Sequence, residues 1–136
     1  MSAYLLRPVG VVRSPLRGRS AAPRQGDEGG AEAVVTFERG VADALGGIEV
    51  GDDLVLLTWL HEASRDVLEV HPRSDETRPL TGVFATRSPD RPNPIGLHRV
   101  TVVGVDGLEL AVRPLEAIDG TPVIDVKPVL RGVEER

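Results

Sequence analysis

The stretch RVTVVGVDGLELAVRP, residues 99–114, limits the fold more than any other part of the chain. Two runs rich in β-branched residues flank Asp106-Gly107, a dipeptide that accepts the positive φ angles of a tight hairpin turn. Antiparallel pairing is expected here, and the same period-two pattern recurs elsewhere. Val9 and Val11 read as a strand, followed by a loop rich in Arg, Ser, Gly and Pro over residues 14–30. AVVTF (33–37) has strand length, GVADALGG (40–47) allows one or two helical turns ended by Gly46 and Gly47, and LVLLTWLH (54–61) reads as a strand buried on both faces. Residues 67–70 and 82–86 are shorter strand candidates, and TPVIDVKPVL (121–130) gives a last strand bounded by Pro122 and Pro128. Many short strands with one short helix predict an all-β (mainly β) fold, a barrel or a sandwich.

A chain of 136 residues supports one core, so a single domain over 1–136 is expected. With no cysteine, disulfides, thiolate nucleophiles and Cys-based zinc sites are excluded. No apolar run approaches the roughly 18 residues that span a bilayer, and MSAYLLRPVG lacks the pattern of a secretory signal. A cytoplasmic address and no membrane partner are the expectations. The net charge of -5 hides an asymmetry: five arginines and no acid precede Gly26. A second basic island, with Arg78, Arg87, Arg91 and Arg99 against Asp90 alone, sits in an otherwise acidic body. Such islands suit an anion held at one place, rather than the broad basic face of a nonspecific nucleic-acid binder.

FATRSPDRPNPIGLHRV, residues 84–100, carries the second island. Pro89, Pro92 and Pro94 fix φ and push their predecessors toward extended geometry, so the loop loses little entropy when a ligand docks. Arg87 and Arg91 offer planar forks for a carboxylate or phosphate. A rigid strand connection with solvated arginines explains the same residues equally simply. Three weaker constellations are His61-Glu62 at a strand end, Pro23-Arg24-Gln25 in the N-terminal loop, and DGTPVIDVKP (119–128). In the last, Asp125 and Lys127, the only lysine, read either as an ion pair or as chemistry. No dinucleotide fingerprint, P-loop, zincin or hydrolase elbow is present, and His61, His71 and His98 lack metal-ligand spacing, so no metal site is expected.

ATRSPDRPNPIGL (85–97) resembles the signature of the TsaA-like family, the TrmO-type S-adenosylmethionine-dependent tRNA methyltransferases. RPVGVVRSP (7–15), Pro23-Arg24-Gln25 and DGTPVIDVKP match in the same order, so the likeness runs from Leu6 to Leu130. It implies a single compact β-barrel with one short helix, not a Rossmann methyltransferase, and a homodimer with S-adenosyl-L-methionine near the subunit interface. The implied reaction methylates the exocyclic amine of threonylcarbamoyladenosine next to the tRNA anticodon. Carried over by motif, Pro23, Arg24, Gln25, His61, Glu62, Arg87, Leu97, Ile118, Asp119, Gly120 and Thr121 would bind the cofactor. Asp125 becomes the candidate for orienting the amine or accepting its proton, while Arg91, Asn93 and Lys127 would support the substrate or the loop.

Three departures bear on the acceptor. LVLLTWL is aliphatic where the tRNA enzymes carry several aromatics, Val129 stands where they carry tyrosine, and the expected domain lacks the C-terminal extension of longer members. Aromatic rings that stack on bases contribute about 1–3 kcal/mol each. Methylation of a small molecule or another non-tRNA acceptor, and a non-catalytic cofactor-binding module, are therefore the alternatives to the tRNA reading.

Overall fold

The computed structural model describes residues 2–16 and 31–130. Six antiparallel strands close into a barrel: β1 (Gly10–Arg13), β2 (Ala31–Phe37), β3 (Asp53–Trp59), β6 (Ile95–Asp106), β7 (Glu109–Leu115) and β8 (Pro122–Pro128). Around the barrel their order is β1-β2-β7-β6-β3-β8, and pairing of Gly10 with Val123 and Val11 with Pro122 closes the ring. The small strands β4 (Glu69–Val70) and β5 (Thr81–Gly82) form a separate pair within the long connection from β3 to β6. No helix of the described residues is long and apolar enough to cross a membrane.

Alternation along the strands sets the core. Val12, Val35, Leu56, Val100, Val102, Leu110, Val112 and Val123 all point inward and are fully or almost fully buried, each contributing about 1.5–3 kcal/mol by leaving water. β3 corrects one expectation: Leu54, Leu56 and Thr58 are buried, but Val55, Leu57 and Trp59 are only half-buried. In a closed barrel one face of every strand is the outside, so an apolar run need not be buried twice.

Other expectations shift for local reasons. The hairpin turn lies one residue later than expected, because Asp106 still pairs with Glu109 and leaves Gly107 and Leu108 at the centre. Gly107 has φ +58, the conformation that puts glycine first in a primed hairpin turn. The short helix is a 310 helix, Arg39–Leu45. Of residues 82–86, only Gly82 is strand; Val83–Ala85 forms a 310 turn.

The strand order decides how the ends are closed. β7 neighbours β2 and β6, whereas β8 neighbours β1 and β3, so residues 116–121 must cross one mouth of the barrel. Ala117 and Ile118, within that crossing, are buried. β2 and β3 are likewise not neighbours, and residues 38–52 cross the opposite mouth, packing Val41, Leu45 and Ile48 against the core.

Candidate functional site

Antiparallel alternation brings three segments to one end of the barrel: residues 14–16, 60–94 and 116–121. Most residues expected to line a site lie on these segments. Pro23, Arg24 and Gln25 lie outside the described residues. The rest fall into three groups.

The first group is a ledge built from two segments of the β3–β6 connection. Leu60 N donates to Pro94 O at 2.8 Å, Arg91 N to Ser64 O at 3.1 Å, and Ser64 N to Asp90 Oδ1 at 2.9 Å. These bonds set His61 and Glu62, 3.9 Å apart and both exposed, on the same ledge as the proline loop. Arg91 turns its fork inward: Nη1 donates to Thr86 O and Ser88 O, both at 3.1 Å, and Nη2 to Val83 O at 2.5 Å. Its donors hold the loop's own carbonyls. Arg65, which no motif singled out, clamps the ledge from the side. It donates from Nε to Pro92 O at 2.7 Å and from Nη2 to Asn93 Oδ1 at 2.8 Å, and lies 5.2 Å from the centre of the Trp59 ring. Asn93 is therefore part of the loop's internal bracing. Arg87 is exposed and makes no hydrogen bond or ion pair among the described residues.

The second group is the crossing itself. Asp119 Oδ1 accepts from Ser14 N at 3.0 Å, Asp119 N donates to Leu16 O at 2.6 Å, and Gly120 N donates to Val12 O at 2.8 Å. Thr121 is buried and donates its hydroxyl to Ile118 O at 2.7 Å. Together these bonds fix Ile118, Asp119, Gly120 and Thr121 against β1. An open groove of about 490 Å³ lies alongside, lined by Arg13, Ser14, Pro15, Glu32, Ala33, Val34 and Asp119.

The third group lies on the outer wall. Leu57 pairs with Leu97 on one side and Asp125 on the other, so these three form one outward row across β6, β3 and β8. Trp59 and Ile95 are the next outward pair toward the ledge. Asp125 lies 3.5 Å from Lys127 Nζ, and both are exposed. Lys127 pairs with Val55, further toward the opposite mouth.

Inside the barrel, between the ledge and the crossing, sits a buried polar chain. Thr58 Oγ1 and His98 Nε2 are 2.7 Å apart, and His98 Nδ1 and Glu116 Oε1 are 2.5 Å apart. Thr58 and His98 are buried, and the Glu116 side chain is 13% exposed. A carboxylate only accepts, so the ring donates from Nδ1 to Glu116, and in a neutral ring Nε2 accepts a hydrogen bond from the Thr58 hydroxyl. Gly96, opposite Thr58, covers this chain: a Cβ there would collide with Thr58 Oγ1 and lie 2.6 Å from His98 Nε2. The glycine of the signature is thus required by what lies beneath it. Neither Arg65 nor His98 stands out in the sequence, because their partners are distant along the chain.

Among the described residues no cluster of three His, Asp or Glu side chains could hold a metal ion. The end of the barrel offers a guanidinium, Arg87, that has no partner among the described residues, a rigid peptide wall and an apolar outer row. Residues 11–135 match the tRNA-methyltransferase O N-terminal domain. A probable S-adenosyl-L-methionine-binding protein of Methanothermobacter thermautotrophicus is 46% identical over 95% of this chain and 92% of its own length. An S-adenosyl-L-methionine-binding protein of Archaeoglobus fulgidus is 45% identical over 90% of this chain and 87% of its own. The crystal structure of TrmO from Pseudomonas aeruginosa superposes with a TM-score of 0.75 at 29% identity, over 99% of this chain. This chain spans 62% of that TrmO chain. By its matched residues, its barrel and the signature over residues 85–97, the chain belongs to the TsaA-like family that carries the tRNA-methyltransferase O N-terminal domain.

Proposed function

We propose that this chain binds S-adenosylmethionine at the ledge end of the barrel and is a methyltransferase of the exocyclic amine of threonylcarbamoyladenosine in tRNA. Family membership and relatives named for binding this cofactor support the reading. The observation that carries it is Arg87, exposed and unpaired among the described residues, on a loop that Arg91 and Arg65 hold rigid. The residues fit the ligand's chemistry. Arg87 would take its carboxylate, the peptide edges at Asp119, Gly120 and Thr121 would take its adenosine, and Leu97 would offer apolar contact. His61 and Glu62 complete the ledge, and Pro23, Arg24 and Gln25 belong to the same set by motif.

Bound there, the cofactor supplies an electrophilic methyl group on a sulfonium. The chain's own part is to position and to screen from water: the ledge is fixed before binding, so little entropy is lost on docking. Asp125 stands on the outer row beside Leu57 and Leu97 and would orient the acceptor amine or receive its proton. Its neighbour Lys127 balances that carboxylate. A cytoplasmic location accords with a tRNA acceptor. The apolar outer row, with Leu57 and Trp59 half-buried and Ile95 and Leu97 exposed, supports a homodimer that covers this wall.

A small-molecule acceptor is the second reading, favoured by one observation: the outer wall near Asp125 is aliphatic, with Trp59 as its lone ring. Two measurements test the proposal. Calorimetric titration with S-adenosylmethionine should give micromolar binding, weakened in Arg87→Ala by about 1.5–3 kcal/mol. An unchanged dissociation constant in a folded variant removes Arg87 from the site. Incubation with threonylcarbamoylated tRNA, followed by nucleoside mass spectrometry, should show gain of one methyl group on the modified adenosine. Cofactor binding with no such gain favours the small-molecule acceptor or a non-catalytic binding module.

A further inference from the structure

We propose that Glu116, His98 and Thr58 form a buried strut that sets the spacing between the two halves of the site, with Glu116 and His98 as positioning residues. The inference rests on the cofactor reading above, and it concerns residues that reading does not use. One half of the site, the ledge, springs from the ends of β3 and β6. The other half, residues 118–121, belongs to a crossing that is not hydrogen-bonded into either strand as part of the sheet. On its far side the crossing is held to β1 through Asp119 and Gly120. On its near side Glu116, at its first residue, reaches His98 on β6, and His98 reaches Thr58 on β3. Thr58 and His98 flank the base of the ledge: Leu60, Pro94 and Gly96 all lie within two to four residues of one or the other.

The chemistry suits a spacer rather than a reacting group. Each member is satisfied by the next, and no buried side-chain polar atom among the described residues lacks a partner. Thr58 is fully buried beneath Gly96, so its hydroxyl meets no ligand. A hydrogen-bonded chain inside a low-dielectric core has directional preference that an apolar contact lacks, and breaking it at one member strands the others. Apolar packing of Ala117 and Ile118 alone would permit sliding of the crossing; the strut fixes its register relative to the ledge.

The test reads cofactor affinity and local opening together, by titration with S-adenosylmethionine and by native-state amide exchange at Asp119, Gly120 and Thr121. Glu116→Ala should weaken binding about tenfold and speed exchange at these amides about tenfold. Glu116→Gln keeps an oxygen that accepts from His98, and should restore affinity to within about threefold of wild type. Val35→Ala, a core change remote from the strut, controls for general destabilisation and should leave both readouts unaltered once corrected for global stability. The inference is overturned if Glu116→Ala binds as wild type, or if Val35→Ala weakens binding equally. Should Glu116→Ala fail to fold, Thr58→Val replaces it, and unchanged affinity together with unchanged exchange there is equally fatal. If the wild-type protein binds no cofactor, the reading beneath falls, and the exchange data alone decide the strut.

Discussion

Gly96 shows how a single missing side chain can be dictated from below. It faces inward opposite Thr58, and the space a methyl group would need is already filled by Thr58 Oγ1, His98 Nε2 and, at 3.0 Å, Leu60 Cδ2. Neither Thr58 nor His98 can retreat without breaking the buried chain. Gly96→Ala should therefore cost about 1–3 kcal/mol, as overpacked cores do, measured by urea unfolding. Stability equal to wild type would mean that the chain beneath has room to rearrange. Arg65 makes the complementary case at the surface. Arg65→Lys keeps the charge but loses the planar fork that spans Pro92 O and Asn93 Oδ1. Global stability should move by under about 0.5 kcal/mol, because the residue is exposed. Cofactor affinity should fall about fivefold, the equivalent of one lost hydrogen bond. Unaltered affinity would show that the proline loop holds its shape without the clamp. At this scale the sequence was readable only where neighbours in the chain are partners in space. Arg87 and Asp119 stood out through motifs, whereas Arg65 and His98 find their partners 18 to 40 residues away.

The elements differ in how much of them local chemistry decides. The hairpin joining β6 and β7 was visible because a glycine between two β-branched runs needs no distant help, and only its centre was misplaced by one residue. The alternating, β-branched and apolar runs gave every barrel strand, with ends shifted by a few residues. Burial of β3 was read too fully because an apolar strand looks the same whether its outer face meets a helix, a second copy or water. The crossing at residues 116–121 had no periodicity at all. Its shape comes from bonds to β1 and from the plug formed by Ala117 and Ile118. Ile118→Ala should cost about 2 kcal/mol or more. It should also lower cofactor affinity, if Asp119 and Gly120 are held in place from beneath. Thermal unfolding and titration on one preparation separate the two effects, and a variant that is destabilised yet binds normally would confine Ile118 to the core.

For the whole molecule, closure is the property that no single stretch announces. The ring is completed by β1 with β8, elements at opposite ends of the chain, and a barrel or a sandwich fitted the strand pattern equally well until that pairing was known. Closure leaves no open strand edge in the barrel, so association through the barrel wall must use side chains rather than added strands. Leu57, Trp59, Ile95 and Leu97 provide such a surface on the outer wall. Sedimentation should accordingly give twice the 14.6 kDa chain mass, and Leu57→Glu combined with Leu97→Glu should give a folded monomer with weakened cofactor binding. A wild-type monomer at micromolar concentration would rule out the dimer. The alternation that gathers three segments at one mouth has a practical corollary at the other. Gly107 and Leu108 turn the chain at the rim of the far end, a full strand length from the ledge. A fluorophore, affinity tag or surface linker grafted into that turn would hang from the protein like a handle, leaving the opposite mouth open for ligand to be added and washed away.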